Sequence, residues 1–307
     1  MESVHATCEH EGPASSTEFP EEFEPQFYRA SYRDLGHMSD ADLRNHYNQY
    51  GVAEGRIASP AATRRGLMAL IPPRASVLEI GPFCNPAIEG QNVRYFDVLN
   101  QSQLIARAKE IGLPFTNCPD IDYVSPVGDL SIVRDRFDFV VACHCLEHQP
   151  DLIRHLTDVE RVLNGRGMYF VVVPDKRYSF DFFLPESTIA DILDASTRRL
   201  SVHSLRSILE HRALITHNDV AAHWRGEHGN TRGSVDAGAS ILTALAEYET
   251  ANGAYIDVHA WKFTPQGFRI LLRDIFMLDF THLKTIRVYN TVLNSSEFCA
   301  VLQKTAE

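Results

Sequence analysis

The chain has 307 residues, 44% hydrophobic and 22% charged, which is enough apolar material for a sizeable core and too mixed for a disordered or fibrous chain. Lys and Arg number 29 against 40 Asp and Glu, and the formal net charge of -11 repels a phosphate backbone, which argues against a nucleic-acid partner. No apolar run approaches the roughly 20 residues of a membrane helix, and the N-terminus lacks the basic and apolar regions of a secretory signal, so the chain is expected to have no membrane span and to reside in the cytoplasm.

Residues 1–24, rich in Glu, Ser, Thr and Pro, are expected to be a flexible leader. Residues 25–59 read as a small helical module. Phe27, Tyr28, Tyr32 and Leu35 precede the capping signature Ser39-Asp40-Ala41-Asp42, then Leu43, His46, Tyr47 and Tyr50 recur at helical spacing, and Gly51 is expected to stop the helix. From residue 60 onward strands alternate with helices, the pattern of a parallel sheet covered on both faces. Ala75 to Ile80, Val93 to Val98, Phe137 to Ala142 and Met168 to Val173 read as strands. Leu152, Leu156, Val159 and Leu163 mark a helix before the last of these, closed by a Gly165-Arg166-Gly167 turn. Residues 175–258 carry many histidines and no strong strand. They read as a mostly helical insertion with helical pieces at Ile189 to Leu193, Leu205 to Leu209 and Ile241 to Tyr248, and an insertion of that size points to function. A helix from Pro265 to Phe276 and strands Leu283 to Tyr289 and Glu297 to Gln303 complete the domain 60–307.

The chemistry concentrates after the first strand. Val77 to Gly81 is a buried strand entering a tight turn, Pro82-Phe83-Cys84-Asn85-Pro86, where Gly81 lets the backbone approach a ligand closely. Asp97 ends the next strand, where a carboxylate can accept both hydroxyls of a cofactor ribose. This pair resembles the first two motifs of class I S-adenosylmethionine-dependent methyltransferases, of the type 11 kind. The resemblance continues through Gly128-Asp129-Leu130, Phe137 to Ala142 with the following His144-Cys145-Leu146-Glu147-His148, Leu163 to Val173, and His259 to Pro265. It implies an α/β fold with a doubly wound, seven-stranded Rossmann-like methyltransferase sheet. It also implies S-adenosyl-L-methionine as cofactor, held by Glu79, Gly81, Phe83, Asn85, Asp97, Asp129, Leu130 and His144. The family's G-x-G-x-G loop is here reduced to Gly81, with Phe83 and Asn85 at the later glycine positions. A nicotinamide enzyme needs those glycines to seat a pyrophosphate at a helix N-terminus, whereas adenosylmethionine carries no phosphate, so the departure weighs against a dehydrogenase.

Methyl transfer needs in-line approach of a nucleophile and, for a hydroxyl, a general base. The loops beyond the sheet's carboxyl ends must supply these groups. Asp175, Arg177, Tyr178, Trp224, Arg225 and His228 are expected to bind substrate, with Trp224 as a stacking face. His217 or His223 is expected to be the base, and His144, a further catalytic candidate, to lie beside the cofactor's methionine portion. Glu147 and His148 open a helix and read equally well as its caps. His217, Asp219, His223 and His228 could converge on a divalent ion, but no fixed spacing indicates one. The Cys143-His144-Cys145 run alternates across a strand without a partner cluster, the six cysteines read as free thiols, and no metal site is assigned.

The N-terminal module resembles one that accompanies glycan-assembly enzymes, matched by Phe23, Tyr28, Tyr32, Asp34, Leu35, His46, Tyr47, Gly51, Glu54, Gly55 and Arg56. With the His, Trp and Arg of the insertion, it points to O-methylation of a sugar or glycan intermediate, so the expected partner is a small-molecule or glycan acceptor. A natural-product O- or N-methyltransferase and a non-catalytic scaffold of the same fold are the alternatives. The acceptor atom and self-association into a homo-oligomer stay open.

Overall fold

The computed structural model describes residues 19–230 and 237–305, so the expected leader up to residue 18, with Cys8, lies outside the described residues. One sheet organises the chain. Its strands are β1 (Val77–Ile80), β2 (Val93–Asp97), β3 (Tyr123–Val124), β4 (Phe137–Cys143), β5 (Leu163–Pro174), β6 (Leu283–Val288) and β7 (Glu297–Lys304), in the order β3-β2-β1-β4-β5-β7-β6. β1 to β5 run parallel, and β7 is antiparallel to both of its neighbours. This seven-stranded mixed sheet with flanking helices is the α/β, Rossmann-like architecture that the sequence led one to expect. β3 went unread in the sequence because two residues carry no legible alternation.

Strand alternation divides the sheet's apolar side chains into two cores. Leu78, Ile80, Val140, Ala142, Tyr169 and Val171 meet α5 (Leu152–Val162) and α10 (Pro265–Met277) on one face. Val77, Phe139, Val141, Phe170 and Val172 meet α3 (Arg64–Met68) and Phe19 on the other. Asp151 starts α5 by accepting the Arg154 amide at 3.0 Å, and Leu152, Leu156, Val159 and Val162 form its buried stripe. The helix then ends without the expected glycine turn. Leu163 is already extended (φ -86, ψ 142) and opens β5. Gly165-Arg166-Gly167 lies inside that strand, in the register break between the pairs Phe137↔Leu163 and Phe139↔Met168, with Arg166 at φ 63.

One expectation for the N-terminal region changes. Phe19 and Phe23, assigned to a flexible leader, are buried, and the Glu22 carboxylate accepts two hydrogen bonds from Arg269 at 2.7 and 2.9 Å. The helix α2 (Asp40–His46) passes into a π-helical turn, Tyr47–Gly51, so the helical run ends at Gly51 as expected. Gly51 is also required for space, since a Cβ there would lie 2.5 Å from the Tyr28 hydroxyl, and Gly55 follows at φ 64. Phe23, Tyr28, Leu35, Leu43, Tyr47 and Ala58 make a small core of their own, with Tyr28 on α1 (Pro25–Ser31).

Between β5 and α10 the described residues form α6 (Ile189–Thr197), α7 (Leu205–Ala213), α8 (Val220–Trp224) and α9 (Ala237–Ala251). Ile208, Ala244, Ile256 and Val258 form a core between α7 and α9. No helix among the described residues is long and apolar enough to cross a membrane.

One buried titratable pair makes the fold sensitive to acid. His155 on α5 is buried against the Tyr169 hydroxyl at 2.8 Å, and burial pushes its imidazole down from 6.5 to about 4. The folded state therefore favours the neutral ring, so this contribution is complete above pH 6.5 and is lost as pH falls toward 4. Denaturant titrations are expected to show stability falling between pH 6.5 and 4, with His155 accounting for a loss on the order of 3 kcal/mol. His155→Gln, which keeps a partner for Tyr169, should flatten that slope; an unchanged slope would remove His155 as its source.

Candidate functional site

Register sets the site. Ile80 pairs with Phe96 on one side and with Ala142 on the other, so the ends of β1, β2 and β4 share one edge of the sheet. A cavity of about 390 Å³ opens there, lined among others by Glu79, Gly81, Phe83, Asn85, Asp97, Gly128, Leu130 and His144. The cofactor residues inferred from the sequence are thus gathered in one place, apart from Asp129. Asp129 turns away from the cavity, and its carboxylate accepts the Ser131 amide and hydroxyl, each at 2.8 Å, while Gly128 and Leu130 form the wall.

The connection from β1 to β2 contains no helix. Gly81 takes φ 67 and Phe83 φ 50, and a Cβ on Gly81 would stand 2.5 Å from Cys145 Sγ. Glu79 braces this loop: its buried carboxylate accepts the amides of Ala87 at 2.7 Å and Ile88 at 3.3 Å. Burial outweighs those two hydrogen bonds and raises Glu79 to about 7. Asp97 is also buried and raised above its ordinary value, with the amides of Leu99, Val98 and Phe83 opposing the shift. A loop without a helix N-terminus offers no pyrophosphate cradle.

His144 sits at φ 54 directly after β4. Its Nε2 lies 2.7 Å from Glu297 and its Nδ1 3.4 Å from Glu147. Burial alone would lower this imidazole, but the two carboxylates raise it to about 9, so it is a cation at neutral pH. Glu297 reaches the edge because β7 is antiparallel and begins opposite Pro174, where β5 ends. It also pairs with Arg64, another residue of the cavity wall.

The remainder of the wall comes from residues the sequence reading left unassigned or read as caps. His148, Gln149, Tyr255 and Asp257 line the cavity. His148 Nδ1 is 2.9 Å from Asp257 Oδ1, and the Tyr255 hydroxyl reaches the His148 carbonyl at 3.4 Å. His148 holds Asp257 well below the usual carboxylate range. Behind them Glu147 is buried, and the Ala260 amide donates to its carbonyl at 2.7 Å, joining the segment after β4 to the one before α10. In the sequence Asp257 falls at the end of the insertion, two residues before the His259 to Pro265 segment, and no local pattern marks it as part of this wall.

The residues expected to bind substrate lie elsewhere, and none lines this cavity. Asp175 is fully buried, where it accepts from Arg177 and from the Thr291 hydroxyl at 2.6 Å. Tyr178 stacks on Trp224 with ring centroids 3.8 Å apart, and the Trp224 Nε1–H donates to the Ser295 carbonyl at 2.9 Å. Arg225 pairs with exposed Glu227, and His228 stacks on Phe182 at 3.6 Å. His217 and His223, expected as bases, are engaged on their own loop. His217 meets the Glu227 carbonyl at 3.0 Å, while His223 meets the His217 carbonyl at 3.1 Å and His228 Nδ1 at 3.0 Å. These bonds leave no convergent ligand set with Asp219, which caps α8 through the Ala222 amide. A second cavity of about 430 Å³, lined by Asp191, His203, Arg206, Glu210 and Lys262 among others, lies between α6 and α7.

No family model matches the chain, and no curated protein matches it. Solved structures are similar to it in fold alone. The 1,6-didemethyltoxoflavin-N1-methyltransferase of Burkholderia thailandensis, with 1,6-didemethyltoxoflavin and S-adenosylhomocysteine bound, is 14% identical over 96% of this chain and 92% of that one, with a TM-score of 0.39. A SAM-dependent methyltransferase from Methanosarcina mazei is 16% identical over 78% of this chain and 97% of its own, with a TM-score of 0.36. A Rhodobacter sphaeroides protein named among the Zn-dependent alcohol dehydrogenases is 12% identical over 79% of this chain and 89% of its own, at 0.42.

The Gly81 geometry has a measurable cost. Gly81→Ala combines positive φ with a clash on Cys145 Sγ and is expected to lower stability by about 1–3 kcal/mol in urea unfolding. In a Cys145→Ala background the loss should shrink to the backbone part; equal losses in both backgrounds would rule out the contact with Cys145.

Proposed function

We propose that this chain transfers a methyl group from S-adenosylmethionine to a hydroxyl of a small polyhydroxylated acceptor, a sugar or glycan intermediate. The observation that carries the reading is one cavity at the carboxyl edge of the sheet that combines Gly81 and buried Asp97 with His148, Tyr255 and Asp257. Asp97 is positioned to take ribose hydroxyls, the loop from Gly81 to Asn85 to follow the methionine portion, and Leu130 to cover the adenine. The lack of a phosphate cradle favours a sulfonium nucleoside over a dinucleotide. His144, locked between Glu147 and Glu297, serves as a positioning residue beside the methionine portion, since a cation cannot take up a proton.

On the acceptor side Tyr255 offers an aromatic face and a hydroxyl, and Gln149, His148 and Asp257 offer polar atoms, a composition that suits a polyhydroxyl ligand. Holding acceptor oxygen and methyl in line supplies most of the rate. As the new C–O bond forms, the hydroxyl proton becomes strongly acidic, so even a weak carboxylate base such as Asp257 suffices when it is in place. The N-terminal module's likeness to those of glycan-assembly enzymes supports the sugar class.

Calorimetric titration is expected to give saturable binding of adenosylmethionine and none of NADH, with Asp97→Ala weakening binding at least about tenfold, the size of one charge-assisted contact. Isotopic methyl transfer should then label sugar or glycolipid acceptors, and Asp257→Asn should lower kcat by about 10²–10⁴ while cofactor affinity holds. Absence of cofactor binding would leave only a scaffold of this fold, and label confined to amine or carbon acceptors would sink the hydroxyl assignment.

A further inference from the structure

We infer that Glu147, His148 and His259 form a binding site for one divalent transition-metal ion at the inner wall of the cavity. One ligand atom from each of these residues lies within 4.8 Å of the others. Glu147 is 1% exposed, and neither of its carboxylate oxygens accepts a hydrogen bond of normal geometry; its nearest cations are His144 Nδ1 at 3.4 Å and His148 Nε2 at 3.9 Å. These imidazoles offset part of the cost of burying a carboxylate that accepts no hydrogen bond of normal geometry, and a metal ion would supply the missing direct contacts.

Each histidine has a carboxylate beside Nδ1: that of His259 is hydrogen-bonded to Asp181, while that of His148 is close to Asp257 without a hydrogen bond of normal geometry. His148 Nδ1 lies 2.9 Å from Asp257 Oδ1, and His259 Nδ1 lies 2.6 Å from Asp181 Oδ2, which leaves Nε2 as the free ring nitrogen of each. A carboxylate on one imidazole nitrogen fixes the ring and raises the basicity of the other, the arrangement that accompanies histidine ligands in metalloproteins. Backbone contacts hold the two ligand segments together: the Ala260 amide donates to the Glu147 carbonyl at 2.7 Å, and the His259 amide to His211 Nδ1 at 3.2 Å. Ligands bound at about 2.1 Å to a tetrahedral ion stand about 3.4 Å apart, so the 3.9 Å between His148 Nε2 and Glu147 Oε1 needs only a small approach.

Two imidazoles and one carboxylate suit zinc, cobalt, iron or manganese better than magnesium or calcium, and three protein ligands leave positions open. His148 belongs to the cavity wall, so an open position there would be available to an acceptor oxygen. With the ion in place His148 is a ligand, and the metal lowers the pKa of a bound hydroxyl. That last extension rests on the methyltransferase reading; metal binding itself does not.

The test uses the full chain purified without a histidine tag, stripped with chelator and titrated with Co²⁺ and with Zn²⁺, following heat and the visible Co²⁺ absorption. Wild type should bind one equivalent saturably. Glu147→Gln should abolish the Co²⁺ spectrum, Asp181→Asn should weaken affinity by roughly 10–100-fold through His259, and His223→Ala should leave it unchanged. Circular dichroism and adenosylhomocysteine binding on the same samples report folding, and they test the cofactor reading separately. No saturable binding to folded wild type, or unaltered affinity in both folded Glu147 and Asp181 variants, overturns the proposal.

Discussion

The parallel register of β2, β1 and β4, closed by an antiparallel β7, is the constraint on which the rest depends. Because Ile80, Phe96 and Ala142 stand level, Gly81, Asp97 and Cys143 end at a common edge. Because β7 runs the other way, its first residue, Glu297, meets that same edge instead of the opposite one. A chain of charges follows, from half-buried Arg64 through Glu297, His144, buried Glu147 and His148, and it ends at the solvent on exposed Asp257. Each member offsets the desolvation of the next, so removing one leaves a neighbour unpaired in a low-dielectric setting. Stability and site geometry are therefore coupled along this line.

The sheet was largely legible because its central strands are short, apolar and punctuated by Gly and Pro. Val77 to Gly81 followed by Asp97 located the cavity without any structure. What failed were features whose meaning is not local. Gly165 to Gly167 looks like a helix stop, yet strand pairing with β4 absorbs it as an irregularity. Phe19 reads as leader because nothing near it in sequence is periodic, and it is fixed by Phe170, which lies far along the chain, in an edge-to-face contact at 5.7 Å.

The candidate site divides the same way. The residues expected to hold a cofactor follow their strands directly, so sequence order is enough to bring most of them to one cavity. The opposite wall of the cavity is assembled from the loop after β4 and from the segment before α10, which meet through Ala260 and Glu147. The His/Trp-rich part of the insertion attracted attention by composition, but its rings are occupied with one another and with Phe182 and Tyr178. There the Trp224 indole packs over Gly55, which makes that cluster a clasp between the insertion and the N-terminal module. Composition marks where aromatic and imidazole groups gather and does not say which way they face.

Glu297 comes late in the chain, whereas the loop and strand ends it completes are made early. During synthesis the first strands can pair while His144 still lacks its main counter-charge and β5 still presents an open edge to solvent. The cavity can reach its final electrostatic form only when the last strand is threaded between β5 and β6. A chain shortened before that strand would keep most of the cofactor motif in its sequence, yet it would leave an exposed strand edge and a histidine without its ion pair.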